Sequence, residues 1–214
     1  MKTLISLASV AACGVILAGC ATAGYQKANT TSTSIREAAQ GIDNTLGPLD
    51  AVVATLSDLM TNPSQDITPQ FRKFDAAVTN LDSLANDVRN HEAAMREQGA
   101  AYFEKWDAEL AKIHNDEMQS LSLDRKNAMA SRFEKVRLSY TLTNANFAPF
   151  MSNLKDIRTA LAMDLTAAGL ASVKGLAGKA NDQVLPLRAS LIRLSAEFRN
   201  LGVSLSTTTL PKAD

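Results

Sequence analysis

Apolar and small residues recur at alternating steps of four and three along nearly the whole chain, the spacing that keeps one face of a helix apolar. The first run is Ile35, Ala39, Ile42, Leu46, Leu49, Val53, Leu56 and Met60. A break at Asn62-Pro63-Ser64 follows, and Thr68-Pro69 predicts a helix start, with threonine as cap and proline at the first helical position. The second run is Phe74, Val78, Leu81, Ala85, Val88, Glu92, Met95, Gly99, Tyr102 and Trp106, continuing to Leu110 and Ile113. A turn is expected at Ser120 to Ser122, with Asp124 in the next first turn. The third run is Met129, Phe133, Val136, Tyr140, Thr143, Phe147, Phe150, Leu154, Ile157 and Leu161. Thr166 is the expected cap of a fourth helix carrying Val173, Ala177, Ala180, Val184, Leu187, Leu191, Leu194, Phe198, Leu201 and Leu205.

Four seams joined by short links predict an all-α fold, an elongated antiparallel four-helix bundle with coiled-coil packing over residues 35–206. Pro48, Pro149 and Pro186 lie inside seams, where a missing amide donor and a ring clash are expected to bend the helices. Charge says which helices are neighbours. Residues 68–117 carry ten acids against six bases, and residues 122–163 three acids against seven bases. Opposite excesses favour pairing of the second helix with the third.

The ends differ from the middle. Lys2 precedes an uncharged apolar run from Leu4 to Ile16, too short to span a bilayer, and Leu17-Ala18-Gly19-Cys20 closes it. Residues 1–19 therefore read as an export signal. Leu-Ala-Gly-Cys resembles the bacterial lipobox, which implies cleavage before Cys20 and acylation of its thiol and new amino group. Acyl chains would hold the protein on a membrane without a spanning helix, each buried methylene contributing about 0.8 kcal/mol. Ala21, rather than Asp, follows the cysteine, and by the same resemblance implies the periplasmic face of the outer membrane. Residues 20–34, poor in charge and without an evident stripe, are expected to form a flexible tether reaching about 20 Å, and residues 207–214 a flexible tail. If the first helix runs away from the tether, the link between helices two and three returns to the tether end and overhangs it, with the turns near Pro63 and Leu165 at the far end.

Composition removes chemistry rather than adding it. Both cysteines, Cys13 and Cys20, fall in the first twenty residues, so the bundle has no thiol for a disulfide, a zinc site or a nucleophile. Lysine and arginine balance aspartate and glutamate at 22 each, which gives no basic field for nucleic acid. Gly175-Leu176-Ala177-Gly178-Lys179-Ala180 lacks the first glycine and the magnesium-holding hydroxyl of a P-loop. His91-Glu92 is followed by Met95 where a zincin needs its second histidine. No Glu-x-x-His supports a di-iron centre. Gly202-Val203-Ser204-Leu205-Ser206 misses the last glycine of a nucleophile elbow. His114, and Glu104, Asp107 and Glu109 with their neighbouring lysines, read as solvated surface. The expectation is no catalytic residue, no cofactor, no metal and no enzyme.

The richest aromatic cluster is Tyr102, Phe103 and Trp106. Tyr102 and Trp106 are on the seam and expected in the core, whereas Phe103, off the seam, is the better exposed candidate; Phe103 and Trp106 are the candidate partner contacts. Glu92 occupies a seam position, where a charge would specify register or lie at the rim.

Phe103-Glu104-Lys105-Trp106 with Glu109-Leu110, Arg137-Leu138-Ser139-Tyr140, Phe147-Ala148-Pro149-Phe150 through Asp156 to Leu161, and Leu170-Ala171-Ser172-Val173 resemble a proteobacterial lipoprotein family, domain of unknown function 2959. The resemblance runs from about residue 70 to about 205, with Thr166 where asparagine is expected. It implies a helical envelope protein and no activity. The expectation is then a lipid-anchored scaffold or adaptor with an envelope protein partner, or a carrier whose proline-bent helices open a groove for a lipid or small apolar ligand. Seams of this kind close within one chain or between copies, so a homo-oligomer stays open.

Overall fold

The structure, a computed structural model, describes residues 20–205, and side chains from residue 26 onward. The signal segment 1–19, the side chain of Cys20 and the tail 207–214 lie outside the described residues. Five helices follow in order: α1 (Cys20–Asn44), α2 (Leu46–Thr61), α3 (Thr68–Leu110), α4 (Asp116–Met163) and α5 (Ala167–Leu205). α1 and α2 form one arm, interrupted only at Thr45.

The arms run alternately up and down around one core. Each helix packs on its two neighbours in the ring, and among the described residues α4 touches α3 and α5 but neither α1 nor α2. Phe74, Phe150 and Phe198 are fully buried at the centre with Ile35, Ile42, Leu49, Leu81, Leu154, Ile157 and Leu161. The second, third and fourth seams are buried almost position for position, with Val88, Tyr102, Trp106, Tyr140 and Val184 only half-buried. The opposite charge excesses meet: Lys155 pairs with Asp82 at 2.7 Å, Arg158 with Asp75 at 3.7 Å, and Lys126 with Asp107, all across α3 and α4. Exposed pairs of this kind contribute about 0–1 kcal/mol each, so they select the neighbour more than they hold it.

Five local readings change. The segment expected as a tether is helical from Cys20, and Ala28 and Thr31 are buried two turns and one turn before Ile35. Small and hydroxyl residues conceal this stripe; Thr31 Oγ1 donates within its own turn to Lys27 O at 2.8 Å and lies 3.2 Å from Gln98 O on α3. In the first arm the buried line is Ile35, Ala38, Ala39, Ile42, Thr45, Leu49, Val52, Leu56 and Leu59, so the expected Ile35, Ala39, Ile42, Leu49 and Leu56 are buried while Val53 and Met60 lie on its flank. Buried Thr45 satisfies its hydroxyl by donating to Ile42 O at 2.7 Å.

Pro48 ends the regular hydrogen bonding of α1 rather than merely bending it, because the Asn44 carbonyl has no proline N–H to accept. α4 and α5 continue through Pro149 and Pro186. The α3–α4 turn comes earlier than Ser120, at residues 111–115, because Asn115 caps α4 by accepting from Met118 N at 2.9 Å and Asp116 and Glu117 occupy its first turn. At the start of α3, Asp66 Oδ1 accepts from Thr68 N at 2.9 Å, which places the capping carboxylate two residues before the expected threonine. Thr166 does cap α5, accepting from Gly169 N at 3.3 Å.

Gly169 marks the tightest backbone approach. A Cβ there would lie 1.9 Å from the Asp164 carbonyl oxygen, so the chain can enter α5 this closely behind α4 only without a side chain. Gly169→Ala is expected to destabilise the fold by about 1–3 kcal/mol, measured as a lower urea midpoint with unchanged slope. A midpoint equal to that of the parent would show that the turn opens freely.

Candidate functional site

Two regions gather side chains that the core alone does not account for: a polar layer halfway along the bundle and an aromatic base at its α3–α4 end. The polar layer takes one buried group from each arm, Thr45, Glu92, Thr143 and Ser195. Ser195 Oγ donates to Asp43 Oδ1 at 2.7 Å, and Arg199 pairs with the other oxygen of the same carboxylate. Glu92 is 8% exposed and faces charge on α4, where it holds the Arg137 guanidinium more firmly protonated, second to the Glu134 hydrogen bond and charge. Tyr140 is pushed above the usual tyrosine range by burial first and by Glu92 second, against the opposing pull of Arg89 and Arg96.

Thr45, Ala85, Val88, Arg89, Tyr140 and Thr143 line much of a cavity of about 30 Å³ in this layer. That volume suits about one water molecule, which the surrounding hydroxyls could hold. Among the described residues no three His, Cys, Asp or Glu side chains are grouped to hold a metal ion.

At the base, Gly99 leaves room for the Phe133 ring, which a Cβ would meet at 2.7 Å. Phe103 packs edge-on against Phe133 with centroids 5.2 Å apart, so this residue, expected at the surface, turns inward and is half-buried. Tyr102 lies 5.4 Å from both Phe103 and Trp106. Trp106 Nε1 donates to Ser122 Oγ at 3.0 Å, a partner the seam pattern does not reveal because Ser122 reads there as turn. Neither Tyr102 nor Trp106 is fully enclosed, although their seam positions predict core. Burial raises the Tyr102 hydroxyl above the usual range, opposed by Arg125. Met118 and Leu121 stand beside this cluster 59% and 60% exposed.

The outer face of α5 carries a third feature. Leu185, Ile192 and Val203 are exposed, Leu185 by 74%. At about 100° per residue the three fall within about 20° of one line. Ala189 and Ala196, also exposed, fill the same line. The signal was present in the sequence as a second phase of the α5 repeat, hidden behind the stronger core seam.

A family model described as protein of unknown function (DUF2959) matches residues 18–196. The chain belongs to this family. The match starts well before residue 70, so the DUF2959 pattern takes in the first arm as well as the aromatic base, and it stops within α5. Searches of curated proteins and of solved structures found no match.

Tyr102 and Tyr140 are expected to ionise above pH 10, the value of free tyrosine, in an absorbance titration at 295 nm. Both raised hydroxyls favour the folded state while protonated, so stability is intact below pH 10 and falls as pH rises from there through the folded-state values. Ionisation of both tyrosines at the free value in the native protein would contradict their burial.

Proposed function

We propose that this DUF2959 protein is an envelope lipoprotein, acylated at Cys20 on the periplasmic face of the outer membrane, that works as a scaffold or adaptor through protein contact and carries out no catalysis. The observation that carries the contact reading is the exposed line of Leu185, Ile192 and Val203 on α5. A helix facing solvent is normally polar there, and an apolar line at heptad spacing fits a partner helix with a matching stripe. Arg188 and Arg199 flank the line but are drawn to Asp50 and Asp43 on the first arm, which leaves its centre uncharged.

The anchor reading is supported by Leu17-Ala18-Gly19-Cys20, which closes the apolar run from Leu4 to Ile16. No described helix is long and apolar enough to cross a membrane, so attachment would fall to the acyl chains. The carrier alternative needs room of about 300 Å³ or more for a small ligand; the cavity at the bundle centre offers about 30 Å³, and the spaces of that size are grooves of about 390 Å³ between α2 and α5 and about 440 Å³ between α1 and α5, both open to solvent.

Intact mass of the membrane-extracted protein is expected to show a chain beginning at Cys20 with added acyl mass, lost in Cys20→Ser. A photocrosslinking residue at 185 or 192 is expected to give one discrete adduct in intact cells, absent when placed at exposed Glu134 on α4. Leu185→Glu with Ile192→Glu is expected to remove function while changing stability by only about 0.5 kcal/mol per site, since both side chains are exposed. Equal adducts from all three positions would sink the α5 docking face, and an unmodified chain would sink the anchor.

A further inference from the structure

The register of the arms sets where Cys20 lies. Thr31 on α1 is level with Gln98 on α3, and the arms are antiparallel, so the stretch from Thr31 back to Cys20 carries α3 forward from Gln98 to Glu109. Cys20 therefore lies at the end of the bundle where α3 turns into α4. The contacts of Asp107 with Lys126 and of Trp106 with Ser122 set α4 in the same way: its first turns, with Met118 and Leu121, lie at the same end of the bundle as Cys20.

On the other side of the ring, Arg132 of α4 donates to Ser204 Oγ at 2.8 Å, so the described part of α5 stops near the level of Arg132 while α4 runs on through four more turns to Asp116. Met118, Ser122 and Met129 follow the inward-facing seam of α4. Met129 is buried, whereas Met118 is 59% exposed, and Tyr102 and Trp106 are half-buried.

We propose that this base is a lipid-contact surface, with Trp106, Met118 and Leu121 seated in the headgroup layer of the leaflet that holds the acyl chains of Cys20. The inference rests on the anchor reading above. Tyrosine and tryptophan rings with one wet edge suit a membrane interface, and an apolar face buried about 5–10 Å deep is typical of interfacial helices. α1 is helical from Cys20 onward, so no flexible length separates the acylated residue from the bundle, and anchoring brings the base to the bilayer. Lys105 and Lys112 beside Glu109, and Lys126 beside Asp107, neutralise two of the carboxylates at this end, while Asp116 and Glu117 in the first turn of α4 lie farther out.

Trp106 is the only tryptophan of the chain and reports on this surface directly. The acylated full-length protein would be reconstituted into phosphatidylethanolamine and phosphatidylglycerol vesicles containing a brominated phosphatidylcholine, with vesicle flotation and intact mass recorded on the same sample. The expected result is loss of about half of the Trp106 emission with bromines placed high on the acyl chains, as for an interfacial indole. Met118→Asp with Leu121→Asp, both exposed, is expected to restore most of that emission while the protein still floats. An acylated, floating protein whose Trp106 emission ignores the bromines overturns the proposal and leaves the anchor standing. A floating chain without acyl mass removes the anchor and the proposal with it. Quenching that appears only after residues 206–214 are deleted, or a Met118→Cys crosslink between two copies, assigns the base to the tail or to a second copy and equally overturns it.

Discussion

Four apolar seams that can leave water only by facing one another are the constraint on which this fold depends. No metal, disulfide or sheet shares the task among the described residues, and surface ion pairs contribute too little to replace it. Burial of Phe74, Phe150 and Phe198 with their aliphatic neighbours drives the association of arms that would be only marginally helical alone. The polar residues admitted into this core are those that can be satisfied locally. Thr45 bonds to its own helix, and Ser195 shares Asp43 with an arginine at the rim. Glu92 is the expensive member of the layer, set close to Arg137 and Tyr140 rather than left in an apolar field.

The seams were readable because the repeat is strict and the residues on it are large. Phe147, Phe150, Leu154, Ile157 and Leu161 leave α4 no second orientation, and their positions predict its buried face correctly. Reading failed where residues were small or polar enough to pack without announcing it. Ala28 and Thr31 carry the first seam back towards Cys20, but alanine and threonine in a Ser/Thr-rich stretch resemble linker. The phase of the first arm slipped by one position because Val52 and Val53, like Leu59 and Met60, are adjacent apolar residues and periodicity alone does not choose between them. The α3–α4 turn was misplaced because Ser120 and Ser122 look like punctuation; the stronger signal was Asn115 followed by two acids.

The candidate sites were legible only in part. Aromatic density singled out Phe103 and Trp106, but it could not show that Gly99 draws Phe133, and with it Phe103, into the core. Nor could it show that the Trp106 indole finds its hydrogen-bond partner in Ser122 of α4. The α5 line of Leu185, Ile192 and Val203 was masked for a different reason: once one face of a helix explains the pattern, a second phase at the same period looks like noise. Only exposure separates the two faces.

A first arm helical from Cys20 to Thr61, with a single-residue interruption, gives the molecule a fixed stature. At 1.5 Å per residue the turns at 62–67 and 164–166 stand about 60 Å from Cys20. A pliable leader would have let that crown wander over a wide range of heights. Here the distance from Cys20 to the crown is set by the number of residues in one arm, and lengthening the arm by one heptad would extend it by about 10 Å.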